Sequence, residues 1–162
     1  MTHLSFYETS PDPLLLVSTS SHVVAALNAD LGTITWRHVF ETDPAVGAIR
    51  QMAVTGSHLA TVSGSDPLFM RLWDPASGAL VLEHLVRPGR VPDLVSLQKG
   101  RLYLVNLAGS DVEIISYEFD AKKMTESNRQ IVLAPFPASN IANSFKVGDL
   151  TILNFSVLNS PT

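Results

Sequence analysis

The sequence predicts an all-β chain that forms part of a β-propeller, with about three and a half four-stranded antiparallel blades. Three observations lead to this prediction. Short apolar segments rich in Val, Ile, Leu and Thr alternate with clusters of Gly, Pro, Asp, Asn and Ser, as is typical of strands and turns. Turn landmarks recur every 44 to 48 residues, close to the length of one propeller blade. The 162 residues therefore hold between three and four such units.

The apolar segments predict the individual strands. Most are five to nine residues long, and no stretch keeps a helical apolar period over three turns with capping residues at both ends. The predicted strands, in chain order, are 14–18, 22–27, 33–39, 49–54, 58–62, 68–73, 79–86, 93–97, 101–107, 112–119, 129–134 and 150–158.

A turn motif shows the repeat most clearly. The run "AALNADLGTITW" aligns with "MRLWDPASGALVL", which places Asn28 on Asp74 and Gly32 on Gly78, 46 residues later. A third copy, "ISYEFDAKKMTES", keeps the acidic residue as Asp120 but lacks the glycine. Asn and Asp side chains can accept a hydrogen bond from the backbone two residues further on, and glycine adopts positive φ without a steric cost. We therefore expect a tight turn between the third and fourth strands of each unit.

The two tryptophans fall next to this turn. Trp36 lies four residues after Gly32, on the predicted fourth strand, where a large ring can cover the neighbouring sheet. Leu82 takes the same place in the second copy, and Trp73 ends the third strand at the position of Leu27. We expect Trp36 to be a packing anchor.

The spacing also predicts the domain organisation. A second landmark, the turn of the first hairpin in each unit, recurs at Thr55-Gly56, Lys99-Gly100 and Gly148-Asp149. We expect one incomplete propeller over residues 1–162, with blades at 4–40, 48–86 and 92–135 and the start of a fourth at 144–158. An unclosed array leaves an apolar sheet face without a partner. The sequence is therefore expected to be a fragment of a larger protein, either a natural short product or a truncated gene model.

Composition excludes several classes of function. The chain is 46% hydrophobic and 16% charged, so it can form a core, and it has a net charge of −4 with scattered basic residues. It offers no basic face for nucleic acid and no apolar run of about 18 residues that would span a membrane. It contains no cysteine, which excludes disulfides and zinc–cysteine sites.

Candidate site residues are few. The five histidines lack the close spacing of a zinc motif, so they are interpreted as ordinary strand or surface residues, with His38 near the sheet surface. No nucleophile motif is present, and "SGS" at 63–65 is interpreted as a turn. The sequence thus predicts no catalytic, cofactor-binding or metal-binding residue; the histidines considered are His3, His22, His38, His58 and His84.

Asn154-Phe155-Ser156 is a candidate glycosylation sequon. It lies within the apolar pattern "LTILNFSVL", so burial of Asn154 in a sheet is the favoured interpretation. Its use as a glycan site would require exposure in the lumen of the secretory pathway.

The run from 17 to 39, with "AALNA", Gly32 and Trp36, is similar to the blade repeat of quinoprotein-like propellers. Together with "WRHV" and the later "MRLW", it resembles the amino-terminal propeller of the ER membrane protein complex subunit 1 family. The resemblance implies a non-catalytic scaffold on the lumenal side of the ER membrane, in a complex that inserts tail-anchored and multipass proteins. Its partners would be the other subunits of that complex. Family members carry a signal peptide and a transmembrane helix; this sequence shows neither, which fits a fragment.

Other propellers remain alternatives. "RLWDPASG" resembles the tryptophan-aspartate signature of cytosolic WD40-type propellers, and a bacterial outer-membrane assembly lipoprotein also carries quinoprotein-like blades. A fragment of a quinone-dependent dehydrogenase is less favoured, because those enzymes need a complete propeller around the quinone and its calcium ion. We therefore expect no cofactor.

Overall fold

A computed structural model describes residues 3–8, 12–19, 21–108, 111–133, 141–147 and 150–155. These residues form three four-stranded antiparallel sheets and one two-stranded hairpin. The described residues also include one four-residue helix, α1 (Pro44–Gly47), between the first and second sheets. The predicted all-β propeller fold is confirmed. No helix in these ranges has the length and apolar character that crossing a membrane requires.

Each sheet is a meander in which every strand pairs with the next in sequence. The first sheet contains β1 (His3–Tyr7), β2 (Leu14–Ser18), β3 (Val23–Asn28) and β4 (Ile34–Val39). The second contains β5 (Ile49–Val54), β6 (Leu59–Gly64), β7 (Leu68–Trp73) and β8 (Leu80–Val86). The third contains β9 (Leu94–Gln98), β10 (Arg101–Ala108), β11 (Asp111–Phe119) and β12 (Met124–Leu133), and the hairpin is β13 (Ile141–Val147) with β14 (Leu150–Phe155).

Some strand positions differ from the sequence prediction. β1 and β13 are absent from the list of predicted strands, although they overlap the first predicted blade and the hairpin predicted over 144–158, and β12 begins five residues earlier than expected. In β12 the side chains from Thr125 to Ile131 are all exposed, so this part of the strand has no apolar alternation to reveal it. The predicted blade extents, and the assignment of 144–158 to a fourth blade, stay predictions; Gly148 and Asp149 lie outside the described residues.

Neighbouring sheets contact each other through equivalent strands. β1 contacts β5 and β5 contacts β9, so the first strands of the sheets gather together, while β8 contacts β12 at the other edge. Sheets stacked face to face in this order are typical of propeller blades around an axis.

Two hydrophobic clusters hold the sheets together. One lies between the first and second sheets, and we call it junction 1; the other lies between the second and third sheets, and we call it junction 2. Because the second sheet is covered on both faces, every residue of its strand β6 is buried, and the strand lacks the alternation of a half-exposed strand. Junction 1 contains Leu14, Leu16, Val24, Ala26, Trp36, Ile49, Leu59 and Trp73.

Candidate functional site

The turns between the third and fourth strands share one hydrogen-bond geometry. In each turn a side-chain Oδ1 accepts from the backbone N–H groups two and three residues further on. The distances are 3.0 and 2.8 Å for Asn28, 2.8 and 3.1 Å for Asp74, and 2.7 and 3.0 Å for Asp120. These side chains are therefore engaged in holding the turn backbone.

The glycines explain why the third turn differs. Gly32 and Gly78 have φ of 68° and 71°, and each donates its N–H to the carbonyl of the residue that starts its turn at 2.8 Å. In the third turn the N–H of Asp120 donates to the carbonyl of Lys123, whereas the first turn closes five residues on, at Thr33. The third turn is two residues shorter, so it has no position for the glycine.

Hydrogen bonding also sets the charge of these turns. The backbone N–H of Ser77, helped by that of Ala76, lowers the pKa of Asp74. The pKa of Asp120 is lowered in the same way by the N–H groups of Lys122 and Lys123. Donors that point at a carboxylate stabilise its charged form. Asn28 makes the same bonds without a titrating group.

Trp36 reaches from β4 onto the turn of the second sheet. Its Nε1 donates to the carbonyl of Pro75 at 2.9 Å, and its side chain is buried. The ring lies directly against Gly78, where an added Cβ would be 2.6 Å from Cδ2 of Trp36. Gly78 thus meets two requirements, a positive φ and a close contact.

His38 completes the same junction. Its Nε2 lies 2.7 Å from the carbonyl oxygen of Gly78, so Nε2 carries the proton and donates. The imidazole is 5.6 Å from the Trp36 ring and stacks 4.7 Å from Trp73. It is half-buried between two sheets, which differs from its expected place near the sheet surface, because β4 packs against the next sheet. Trp73 is buried and donates from Nε1 to Oγ1 of Thr61 at 2.9 Å.

The structure brings some of the predicted positions together and separates others. Trp36, Trp73 and Gly78 meet in junction 1, next to the turn that Asp74 starts. The turns at Asn28 and Asp120 lie on the first and third sheets. Asn154 lies in β14, opposite Asn143, but its side chain is outside what the structure describes. Among the described residues, no group of three His, Asp or Glu side chains is placed to hold a metal.

Sequence reasoning missed two contributors to junction 1. Phe40 packs edge-on against Trp73 at 5.8 Å, and the Arg71 guanidinium lies 4.9 Å from the Phe40 ring centroid. The repeat could have identified Phe40. It lies 46 residues before Val86, so it occupies the position in the first unit that Val86 occupies in the second.

One end of the sheets forms a candidate interaction surface, which we call the turn end. It carries the described turns that follow β3, β5, β7, β9 and β11, and two hydrogen bonds tie turn backbone to neighbouring segments. Tyr7 Oη donates to the carbonyl of Gly56 at 3.1 Å, and the N–H of Ala29 donates to the carbonyl of Pro13 at 2.8 Å. Leu31, at the tip of the turn between β3 and β4, is 74% exposed. The arrangement therefore presents an apolar side chain on a fixed backbone, as protein-binding surfaces do.

The chain is similar to known proteins over most of its length. Residues 1–135 match the model of the EMC1 N-terminal beta-propeller domain. Two relatives are called "ER membrane protein complex subunit 1". The one from Xenopus laevis is 28% identical over 88% of this chain and 15% of its own length. The one from Gallus gallus is 35% identical over 62% of this chain and 10% of its own. The chain therefore spans a small part of the relatives it matches.

Solved structures share the fold at low identity. Saccharomyces cerevisiae Sqt1 superposes with a TM-score of 0.61 at 13% identity, over 78% of this chain and 33% of that one. Quinohemoprotein alcohol dehydrogenase from Comamonas testosteroni superposes with a TM-score of 0.53 at 17% identity, over 73% of this chain and 19% of that one. At such identities these likenesses concern the fold alone. The match over residues 1–135, in contrast, is a match to a family model that covers most of the chain. The chain therefore belongs to the family of the EMC1 N-terminal beta-propeller domain.

Proposed function

We propose that this chain is a non-catalytic scaffold domain of the ER membrane protein complex. In this proposal it lies on the lumenal side of the membrane and contacts other subunits while the complex inserts tail-anchored and multipass proteins. The observation that carries the proposal is the family match over residues 1–135. It is supported by two relatives named as subunit 1 of that complex.

The geometry of the turn end suits a scaffold better than an enzyme. The polar side chains that start its turns, Asn28, Asp74 and Asp120, are engaged with their own backbone. Behind them, Trp36 and His38 fix the first sheet to the second by hydrogen bonds to backbone carbonyls. A rigid sheet array holds its turns in constant relative positions, and such positions favour recognition of a partner surface.

The test uses the full-length protein expressed in cells. Leu31→Asp places a charge on the exposed turn tip without touching a core residue, and we expect it to reduce the recovery of other complex subunits with the tagged protein. Ile131→Asp is the matched control, because Ile131 is 70% exposed on β12, away from the turn end. Equal recovery of the other subunits with both variants would contradict the use of the turn end as a contact surface.

The location and the activity need separate measurements. Protease protection in sealed microsomes should leave this domain intact until detergent is added, as a lumenal position requires. Microsomes that lack the protein should insert tail-anchored substrates less well. Digestion of the domain in intact microsomes would contradict the lumenal assignment.

A further inference from the structure

The lysines of this chain are concentrated at one corner of the turn end. The sequence contains four lysines, and three of them lie in two neighbouring turns of the third sheet. Lys99 is in the turn after β9, and Lys122 and Lys123 are in the turn after β11. All three are exposed. Folding therefore gathers basic residues that the sequence separates, and we call this group the lysine corner.

Hydrogen bonds fix the backbone of the two turns in the lysine corner. The N–H of Phe119 donates to the carbonyl of Gly100 at 3.1 Å, which joins the end of β11 to the turn after β9. Oδ1 of Asp120 accepts from the backbone N–H groups of Lys122 and Lys123 at 2.7 and 3.0 Å. Because these bonds use only main-chain groups of the lysines, the turn is held in place without engaging their ammonium groups.

The lysine corner has more cations than its neighbouring carboxylates neutralise. Neither Lys122 nor Lys123 forms an ion pair within the part of the chain that the structure describes. The carboxylate of Glu118 is already paired with the guanidinium of Arg101. The carboxylate of Asp120 accepts from the backbone of its own turn. Two ammonium groups on a fixed backbone are therefore left to pair with acidic groups from outside.

The charge of the chain changes from its first sheet to its third. Residues 1–47 carry five acidic and one basic residue, whereas residues 87–135 carry six acidic and seven basic residues. At the turn end, the turn after β3 presents the exposed acid Asp30, and the equivalent turn after β11 presents two exposed lysines. A surface with opposite charges at two of its corners favours one orientation of a charged partner.

We propose that the lysine corner binds an acidic segment of a partner polypeptide, whose Asp or Glu side chains pair with Lys122 and Lys123. Ammonium groups on flexible stems can meet carboxylates in several geometries. A polypeptide fits better than an anionic membrane surface, because a flat membrane against the turn end would also bring negative charge to Asp30 and Asp74. That the partner belongs to the complex rests on the proposed scaffold function; the charge of the lysine corner does not.

The experiment joins lysines to carboxylates in the complex purified with the tagged full-length protein. A carbodiimide activates a carboxylate, and a lysine amine in direct contact then forms an amide with it, so that each cross-link reports a contact without a spacer. We expect mass spectrometry to find Lys122 or Lys123 linked to an Asp or Glu of another polypeptide. Links from these lysines only to carboxylates of this domain, or to the carboxylate of phosphatidylserine, would overturn the proposal.

Two matched double variants test the same contact without chemical modification. Lys122→Gln with Lys123→Gln removes two charges and keeps the backbone N–H groups that bind Asp120. We expect it to lower the recovery of other subunits roughly threefold or more, and we expect the difference to shrink as the salt concentration is raised. Arg87→Gln with Arg90→Gln removes the same charge from the exposed link between the second and third sheets, and it should leave recovery unchanged.

The outcomes separate this proposal from the scaffold proposal. Equal recovery with the two double variants would mean that the position of the charge does not matter, and it would overturn the role of the lysine corner. Recovery of other subunits with the unmodified protein, but without links to these lysines, would overturn this proposal and leave the scaffold function in place. If no subunit is recovered at all, the scaffold proposal fails, and the acidic partner fails with it.

Discussion

The two junctions are built on the same repeat but are closed to different degrees. In the first two units the fourth strand, continued by one residue beyond β4 in the first, presents three alternate residues to the next sheet. In junction 1 two of these residues donate hydrogen bonds to backbone carbonyls of the second sheet. In junction 2 the middle residue, a histidine, packs 5.7 Å from the Tyr117 ring, and a cleft remains beside the third. Side-chain size at three positions therefore decides whether two neighbouring sheets with the same backbone arrangement pack without a gap. The three residues are Trp36, His38 and Phe40 in junction 1, and Leu82, His84 and Val86 in junction 2.

The largest effect is expected from Trp36→Ala. Removing a buried aromatic ring leaves a cavity, so we expect the free energy of unfolding to fall by about 3 to 5 kcal/mol. Urea denaturation measures this change. Ile34→Ala, on the same strand but 61% exposed, should have little effect; similar losses for both would mean that Trp36 does not anchor junction 1.

The two turn glycines should respond unequally to alanine. Both have positive φ, so each Gly→Ala costs about 1 to 2 kcal/mol of backbone strain. At Gly32 an added Cβ would meet no atom within 4 Å, whereas at Gly78 it would clash with Trp36. Gly78→Ala should therefore cost about 1 to 3 kcal/mol more than Gly32→Ala. Equal denaturation midpoints would show that Trp36 can move away freely.

The histidines at equivalent positions give a smaller contrast. His38→Phe keeps an aromatic ring but leaves the Gly78 carbonyl without its donor, so we expect a loss of about 1 kcal/mol. The same change at His84 removes no side-chain hydrogen bond that the structure describes, so His84→Phe should be neutral or stabilising. Urea denaturation of both variants measures the contrast, and an equal loss for the two would contradict it.

The smallest effect concerns pH. Because the folded pKa of Asp74 is lowered from its ordinary value of 3.8, its turn contributes stability that is present above pH 3.8 and is lost as the pH falls through the folded pKa. Asp74→Asn should flatten this part of the pH profile. Asn28→Asp should add a similar dependence to the first turn. Profiles of the unfolding midpoint between pH 5 and pH 2 that coincide for all three proteins would refute this contribution.

The fold could be predicted from the sequence because the repeated turns need particular residue types, and those residues recur at a fixed spacing. An Asn or Asp that starts a turn, followed by a glycine, signals the local conformation without reference to distant residues. Trp36 could be singled out for a similar reason. A large ring on the strand that follows such a turn is expected to pack against the neighbouring sheet.

The cleft could not be predicted, because it depends on what is missing between two sheets. Val86 is an ordinary strand residue in the sequence. Its small side chain leaves a space only because the stacking of the sheets places it opposite Ile115 and Asn106. The polar exposed part of β12 and the half-buried His38 were hidden for the same reason: strand pairing and sheet stacking place them, and neither leaves a local pattern.

Gly78 must both adopt positive φ and leave room for the Trp36 ring, and these two requirements limit how the sequence of the family can vary. Asparagine tolerates a left-handed backbone better than other residues with a side chain, so position 32, with open space around it, can accept asparagine. Position 78 cannot do so while an indole occupies position 36. Natural variants that replace this glycine are therefore expected to carry a smaller residue at 36 as well, and the two sites should be inherited as a pair.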